Sequence, residues 1–141
     1  MQQTVTMANT NDEYIACFEV IKQLRPHLNQ QQFLELMPKI VSEGYQLAYI
    51  ETNIGVVALA GFRISHNLFM GKNLYVDDLI TLESERSKGY GETLMQWLRK
   101  IAVEEGCTKL HLDSGTHRGE AHKFYFRQGL TIASYHFSED I

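Results

Sequence analysis

Six residues near the middle of the chain, Arg86-Ser87-Lys88-Gly89-Tyr90-Gly91, could hold an anion. Two cations flank two glycines, and a glycine lets the backbone approach a ligand because no Cβ holds it off. Leu94, Trp97, Leu98, Ile101 and Ala102 then recur at helical spacing, and Gly106 stands where a helix usually stops. The glycines therefore open a helix, whose first turn exposes unpaired N–H groups and a partial positive charge. A phosphate suits such an entry. The stretch before it, Leu74 to Thr81, reads as a strand carrying two adjacent carboxylates, Asp77 and Asp78.

Two common phosphate motifs fail here. A P-loop ends in Gly-Lys-Ser/Thr, whereas Gly91 is followed by Glu92. A dinucleotide-binding Gly-x-Gly-x-x-Gly needs glycine where Leu94 stands. The spelling Arg-x-x-Gly-x-Gly does fit, and it resembles the pyrophosphate motif of the GNAT superfamily of N-acetyltransferases, which use acetyl-CoA. A second segment, Ala121-His122-Lys123-Phe124-Tyr125-Phe126-Arg127-Gln128-Gly129-Leu130, resembles that family's Ala-x-x-Phe-Tyr-x-x-x-Gly-Phe, with Leu130 replacing the final aromatic. The resemblance spans nearly the whole chain in element order and is motif-specific from Asp77 to Leu130.

The resemblance implies an α+β fold. A mixed central sheet is flanked by helices, and its parallel fourth and fifth strands splay apart to admit the pantetheine arm. It places Leu79, Ile80 and Thr81 on the strand whose backbone pairs with pantetheine, and Arg86, Ser87, Lys88, Gly89, Tyr90 and Gly91 around the pyrophosphate. Lys88 either adds charge or is simply solvated, and Tyr90 packs rather than stacking on a base. Tyr125 matches the tyrosine that protonates the departing CoA thiolate, a role suited to a phenol of pKa ~10. Asp77 matches an acidic position able to remove the amine proton, directly or through water. Simple alternation puts Asp77 on the face of Leu79 and Thr81, and Asp78 on the opposite face, bracing the strand. Arg118 stands where the family often has the Asn of a CoA-amide contact, so Ser114 or Arg118 would have to substitute.

Composition agrees with one globular domain spanning residues 1–141. The net charge of −4 gives no reason to expect nucleic acid or an anionic membrane as partner. No apolar run is long enough to cross a bilayer, and Met1-Gln2-Gln3-Thr4 is too polar for a signal peptide. Cys17 and Cys107, far apart in apolar surroundings, read as free thiols of a cytoplasmic protein. The six histidines show no metal-ligand spacing, so no metal is expected.

The remaining elements must position these groups. Thr4 to Met7 reads as a short opening strand. A helix capped at Asn11-Asp12 runs to Leu24 and ends at Pro26, and a second opens on a capping box, Asn29 with Gln32, and stops at Gly44. Strands follow at Gln46–Glu51 and at Val56–Phe62, the latter apolar throughout, as if covered on both faces. Ser65 to Asn73 reads as a loop that, with the first two helices, would build an acceptor pocket. After the central helix come a strand at Lys109–Asp113, a helix at about Glu120–Gln128 and a last strand at Leu130–Phe137. The chain ends soon afterwards, leaving a sheet edge that a second subunit could cover as a homodimer. Together these features point to acetyl transfer from acetyl-CoA to a small-molecule or peptide amine. Asp77 and Glu83 favour a cationic acceptor. The alternative is a non-catalytic module that only binds acyl-CoA.

Overall fold

Every residue from Val56 to Phe62 is buried, so this run forms the centre of the sheet, as its unbroken apolarity requires. It belongs to a long strand, Gly55–Asn67. The computed structural model describes residues 3–141; Met1 and Gln2, half of the polar start read above, lie outside them. In chain order the elements are β1 (Thr6–Met7), α1 (Asn11–Leu24), α2 (Gln30–Ser42), β2 (Tyr45–Thr52), β3 (Gly55–Asn67), β4 (Gly71–Thr81), a 3-10 turn (Glu83–Glu85), α3 (Tyr90–Glu104), β5 (Lys109–Leu112) and α4 (Gly119–Arg127). The strands lie side by side in that same order, antiparallel from β1 to β4, with β5 parallel to β4 across the α3 crossover. This is the mixed α+β sheet expected from the sequence.

The two faces of the sheet are filled by different helices. Tyr45, Leu47, Tyr49, Val56, Leu59 and Ile80 pack with Cys17, Phe18, Val20 and Ile21 of α1 and Phe33 and Met37 of α2. Phe62 points the other way and meets Trp97 of α3 edge-to-face at 5.7 Å. Leu94, Met95 and Leu98 of α3 are fully buried. The capping box forms as read: Asn29 accepts from the Gln32 N–H at 2.8 Å, and the Gln32 side chain accepts from the Asn29 N–H at 2.9 Å. In α1 the cap is instead Thr10, one residue before the expected Asn11-Asp12, because its hydroxyl reaches the Glu13 N–H at 3.2 Å.

Two readings are corrected. Ser65 to Asn73 is not a loop, since Ser65, His66 and Asn67 pair with Asn73, Lys72 and Gly71 and leave only residues 68–70 to turn. These ladder ends are largely exposed, so pairing there needs no apolar pattern to announce it. Leu130 to Phe137 does not form a strand, because residues 128–141 carry no helix or strand. Alternation equips a segment to pair, but a strand exists only beside a hydrogen-bonded neighbour. The chain clusters into two compact units, one up to His111 and one from Leu112 to Ile141.

Candidate active site

The first unit holds the open strand edge, the two carboxylates and the glycine-rich helix entry. β5 begins beside Lys72: the Thr108 N–H donates to the Lys72 carbonyl at 2.9 Å, and His111 meets Asn73 at 2.8 Å. At four residues β5 is spent well before β4 ends. Among the described residues, the part of β4 from Asp77 to Thr81 therefore has no strand partner on its β5 side, which is the expected splay. The Leu82 N–H donates to the Val57 carbonyl of β3 at 2.7 Å. Counting back along an antiparallel ladder, Ile80 also turns its N–H toward β3, while Leu79 and Thr81 turn theirs toward the open side. The Thr81 carbonyl already accepts from the Gln23 side chain of α1 at 3.1 Å.

A β-bulge interrupts this strand at its two aspartates. Asp78 pairs with Gly61 and Val76 with the next residue, Phe62, so Asp77 is the extra residue. The bulge overturns the simple alternation and brings both carboxylates to the face of α1 and α2. Asp77 is held by Arg63 through two bonds of 2.9 Å, and Asp78 accepts from the Tyr45 hydroxyl at 2.7 Å. Tyr45 and Arg63 are directly paired across β2 and β3, and such partners share a face. Arg25, just after α1, completes the second cluster. Its Nε and Nη2 reach one Asp78 oxygen at 3.2 and 3.1 Å, and Nη2 also reaches the Asp77 carbonyl at 3.1 Å. Asp78 is thus the more enclosed carboxylate, its side chain 17% exposed against 24% for Asp77.

Sequence reading missed Arg25, Tyr45 and Arg63, which come from three different elements. One signal was available. An isolated glycine inside a strand often marks a close approach, and Gly61 is where the Tyr45 ring crosses to reach Asp78. A Cβ at Gly61 would sit 1.8 Å from the Tyr45 hydroxyl oxygen. Burial first, and then the neighbouring Asp78, push the Tyr45 phenol well above its ordinary pKa, so it stays a donor. Beside this network lies a pocket of about 260 Å³, walled by Ile21, Leu28, Phe33, Leu36 and Ile40 with Arg25, Tyr45 and Asp78 among its polar groups.

At the helix entry, Ser87 and Gly89 both have left-handed backbones, with φ of 68° and 86°. A Cβ at Gly89 would meet nothing within 4 Å, so glycine is favoured there by the backbone angle rather than by crowding. Gly89, the N-cap of α3, has no side chain to cap the helix, and no side-chain cap bond forms there among the described residues. The two cations of the motif differ. Lys88 is paired with Glu85, whose bond and charge raise the lysine's pKa, whereas Arg86 is exposed and makes no ion pair among the described residues. Tyr90 and Gly91, in the first turn of α3, are half-buried.

The second unit carries Ser114 and Tyr125. Ser114 Oγ is buried without a hydrogen-bond partner among the described residues. Such an orphan costs about 1–3 kcal/mol unless a ligand or water satisfies it. Tyr125, on α4, packs edge-to-face on Phe124 at 5.7 Å. Burial raises its phenol pKa above the ordinary value, while Arg118 pulls weakly the other way. The phenol is therefore a proton donor throughout the neutral range.

A sheet splayed at a β4 bulge, ending in a glycine-opened helix entry, is the architecture of one class of acyltransferase. The model of the acetyltransferase (GNAT) family matches residues 7–130; the chain belongs to that family and is an acetyl-CoA-dependent N-acetyltransferase. Its relatives include the uncharacterized N-acetyltransferase YhdJ of Bacillus subtilis (strain 168), 31% identical over 134 residues and 94% of each chain. An aminoalkylphosphonate N-acetyltransferase of Salmonella typhimurium is 25% identical over 61% of this chain and 54% of its own. Among solved structures, AAC(6')-Iy in complex with the bisubstrate analog CoA-S-monomethyl-acetylneamine shares the fold at a TM-score of 0.87 and 14% identity, covering 100% of this chain and 99% of its own. An acetyltransferase of Trypanosoma brucei does so at a TM-score of 0.81 and 19% identity, covering 99% and 100%. Among the described residues no helix is long and apolar enough to cross a membrane.

Proposed function

We propose that the chain acts as one catalytic domain that moves acetyl from acetyl-CoA to a primary amine in a single direct step within a ternary complex. The observation that carries this reading is the unpaired edge of β4 from Asp77 to Thr81, which leads directly to the uncapped entry of α3. Arg86 and the backbone N–H groups through Gly91 would hold the pyrophosphate, and Leu79 and Thr81 would pair with pantetheine. Ser114 Oγ would bond a pantetheine amide. The amine nitrogen attacks the thioester carbon, the oxyanion forms against the Leu79 N–H, the C–S bond breaks and Tyr125 protonates the sulfur. The proton lost by the amine passes to Asp77, through water, since Arg63 already occupies both carboxylate oxygens.

The acceptor would enter the pocket between α1, α2 and the sheet. That pocket is mostly apolar, and an arginine offsets each neighbouring carboxylate, so a small amine on an apolar body fits it better than a polycation. The free thiols Cys17 and Cys107 agree with work in a reducing cytoplasm. β5 is the edge strand of the sheet among the described residues, which agrees with a homodimer.

The test is a pH–rate profile of wild type, Tyr125→Phe and Asp77→Asn with a panel of amines, alongside melts with CoA. Each variant should bind CoA and lose roughly 10²-fold in kcat, the span of a positioned acid or base. Wild-type rate should fall as pH rises through the raised Tyr125 pKa, above the ordinary ~10, because phenolate cannot donate. Tyr125→Phe should lack that limb. A folded variant with unchanged kcat and the same limb removes the tyrosine from the mechanism.

A further inference from the structure

Two side chains from the end of α1 reach the open run of β4. Arg25 Nη2 donates to the Asp77 carbonyl at 3.1 Å, where the run begins, and Gln23 Nε2 donates to the Thr81 carbonyl at 3.1 Å, where it ends. Gln23 also accepts, its Oε1 taking the Glu83 N–H at 2.8 Å. Only one orientation of the carboxamide makes both bonds, with its nitrogen toward the carbonyl and its oxygen toward the N–H. Between these two residues Leu82 turns the other way and donates to the Val57 carbonyl of β3 at 2.7 Å. Gln23 thus offers Thr81 a donor and Glu83 an acceptor, as the backbone of a parallel neighbouring strand would.

Thr81 and Glu83 are where the strand becomes the loop. Glu83 opens the 3-10 turn that carries the chain to Arg86, and the glycine-rich segment then leads into α3. The proposed cofactor site asks one elongated molecule to touch both regions, with its thioester arm on the strand and its pyrophosphate on the loop. Either contact alone needs only local geometry. Making both at once needs the loop at a fixed position relative to the strand, because the second contact gains from the first only when the spacing matches. We propose that Gln23 is a positioning residue for the cofactor, locking the exit of β4 so that the open edge and the pyrophosphate loop are spaced for a single acetyl-CoA. It acts through Thr81 and Glu83, and with the Thr81 carbonyl committed to Gln23, Thr81 offers pantetheine its N–H. The inference rests on the cofactor-binding roles proposed for Leu79, Thr81 and the Arg86–Gly91 loop.

Kinetics with acetyl-CoA and with S-acetylpantetheine, together with inhibition by ADP, test this on wild type and Gln23→Met, which keeps the side chain's length but makes neither bond. S-acetylpantetheine reaches only the strand, and ADP only the loop. Losing the two bonds should raise the KM for acetyl-CoA about tenfold with kcat little changed. The kcat/KM for S-acetylpantetheine and the inhibition by ADP should keep their wild-type values, a pattern that general destabilisation would not give. Gln23→Glu keeps an acceptor for Glu83 but sets a carboxylate against the Thr81 carbonyl. It should raise the same KM, and it decides the matter if Gln23→Met does not fold. An unchanged KM for acetyl-CoA, or an equal loss with either fragment, overturns the positioning role while leaving the cofactor reading. A wild type that uses S-acetylpantetheine as well as acetyl-CoA overturns the pyrophosphate reading itself, and the role of Gln23 with it.

Discussion

Up to His111 the chain buries two layers of apolar side chains against one sheet, and its polar groups of interest are pinned by that packing. From Leu112 to Ile141 no residue is buried, and beyond Leu112, the last residue of β5, the regular structure is a nine-residue helix. The contrast shows in how the two candidate acid–base groups are held. Asp77 sits in a bulge and is clasped by Arg63 from the next strand, whereas Tyr125 has a ring neighbour on its own helix and no hydrogen-bond partner for its hydroxyl among the described residues. In the first unit geometry is enforced by the surroundings. In the second it is local.

The largest break of this contrast should come from the core. Leu59→Ala empties a fully buried position in the central strand and should cost about 2–5 kcal/mol in a denaturant melt. A cost under 1 kcal/mol would mean that the site collapses freely and that the first unit is less rigid than described.

Next comes Gly61→Ala, which sharpens the comparison at one atom. Its Cβ would collide with the phenol of Tyr45, which is buried and bonded to Asp78 and so has little room to yield. Overpacking of this kind costs about 1–3 kcal/mol. Tyr45→Phe/Gly61→Ala, which removes the colliding oxygen, should recover part of that loss. If Gly61→Ala melts like wild type, the crossing of Tyr45 over Gly61 does not constrain the site.

The smallest effect is expected from the second unit. Phe126→Ala on α4 removes an exposed ring and should change stability by no more than about 0.5 kcal/mol. A much larger loss would show that this helix is covered in solution.

The sequence by itself determined what depends on neighbours along the chain. The capping box of α2, the two-faced apolarity of Val56–Phe62 and the glycine-opened entry to α3 are local, because each rests on backbone angles or side chains a few residues apart. Tertiary structure alone decided what depends on pairing. A bulge is one extra residue relative to a partner strand, so nothing in Asp77-Asp78 could announce that both carboxylates would share a face. Arg25, Tyr45 and Arg63 converge on them from three elements, and no spacing in the sequence encodes that convergence. The tail is the converse case. Its alternating pattern was legible, but pattern supplies only faces, and the hydrogen bonds of a strand must come from another strand.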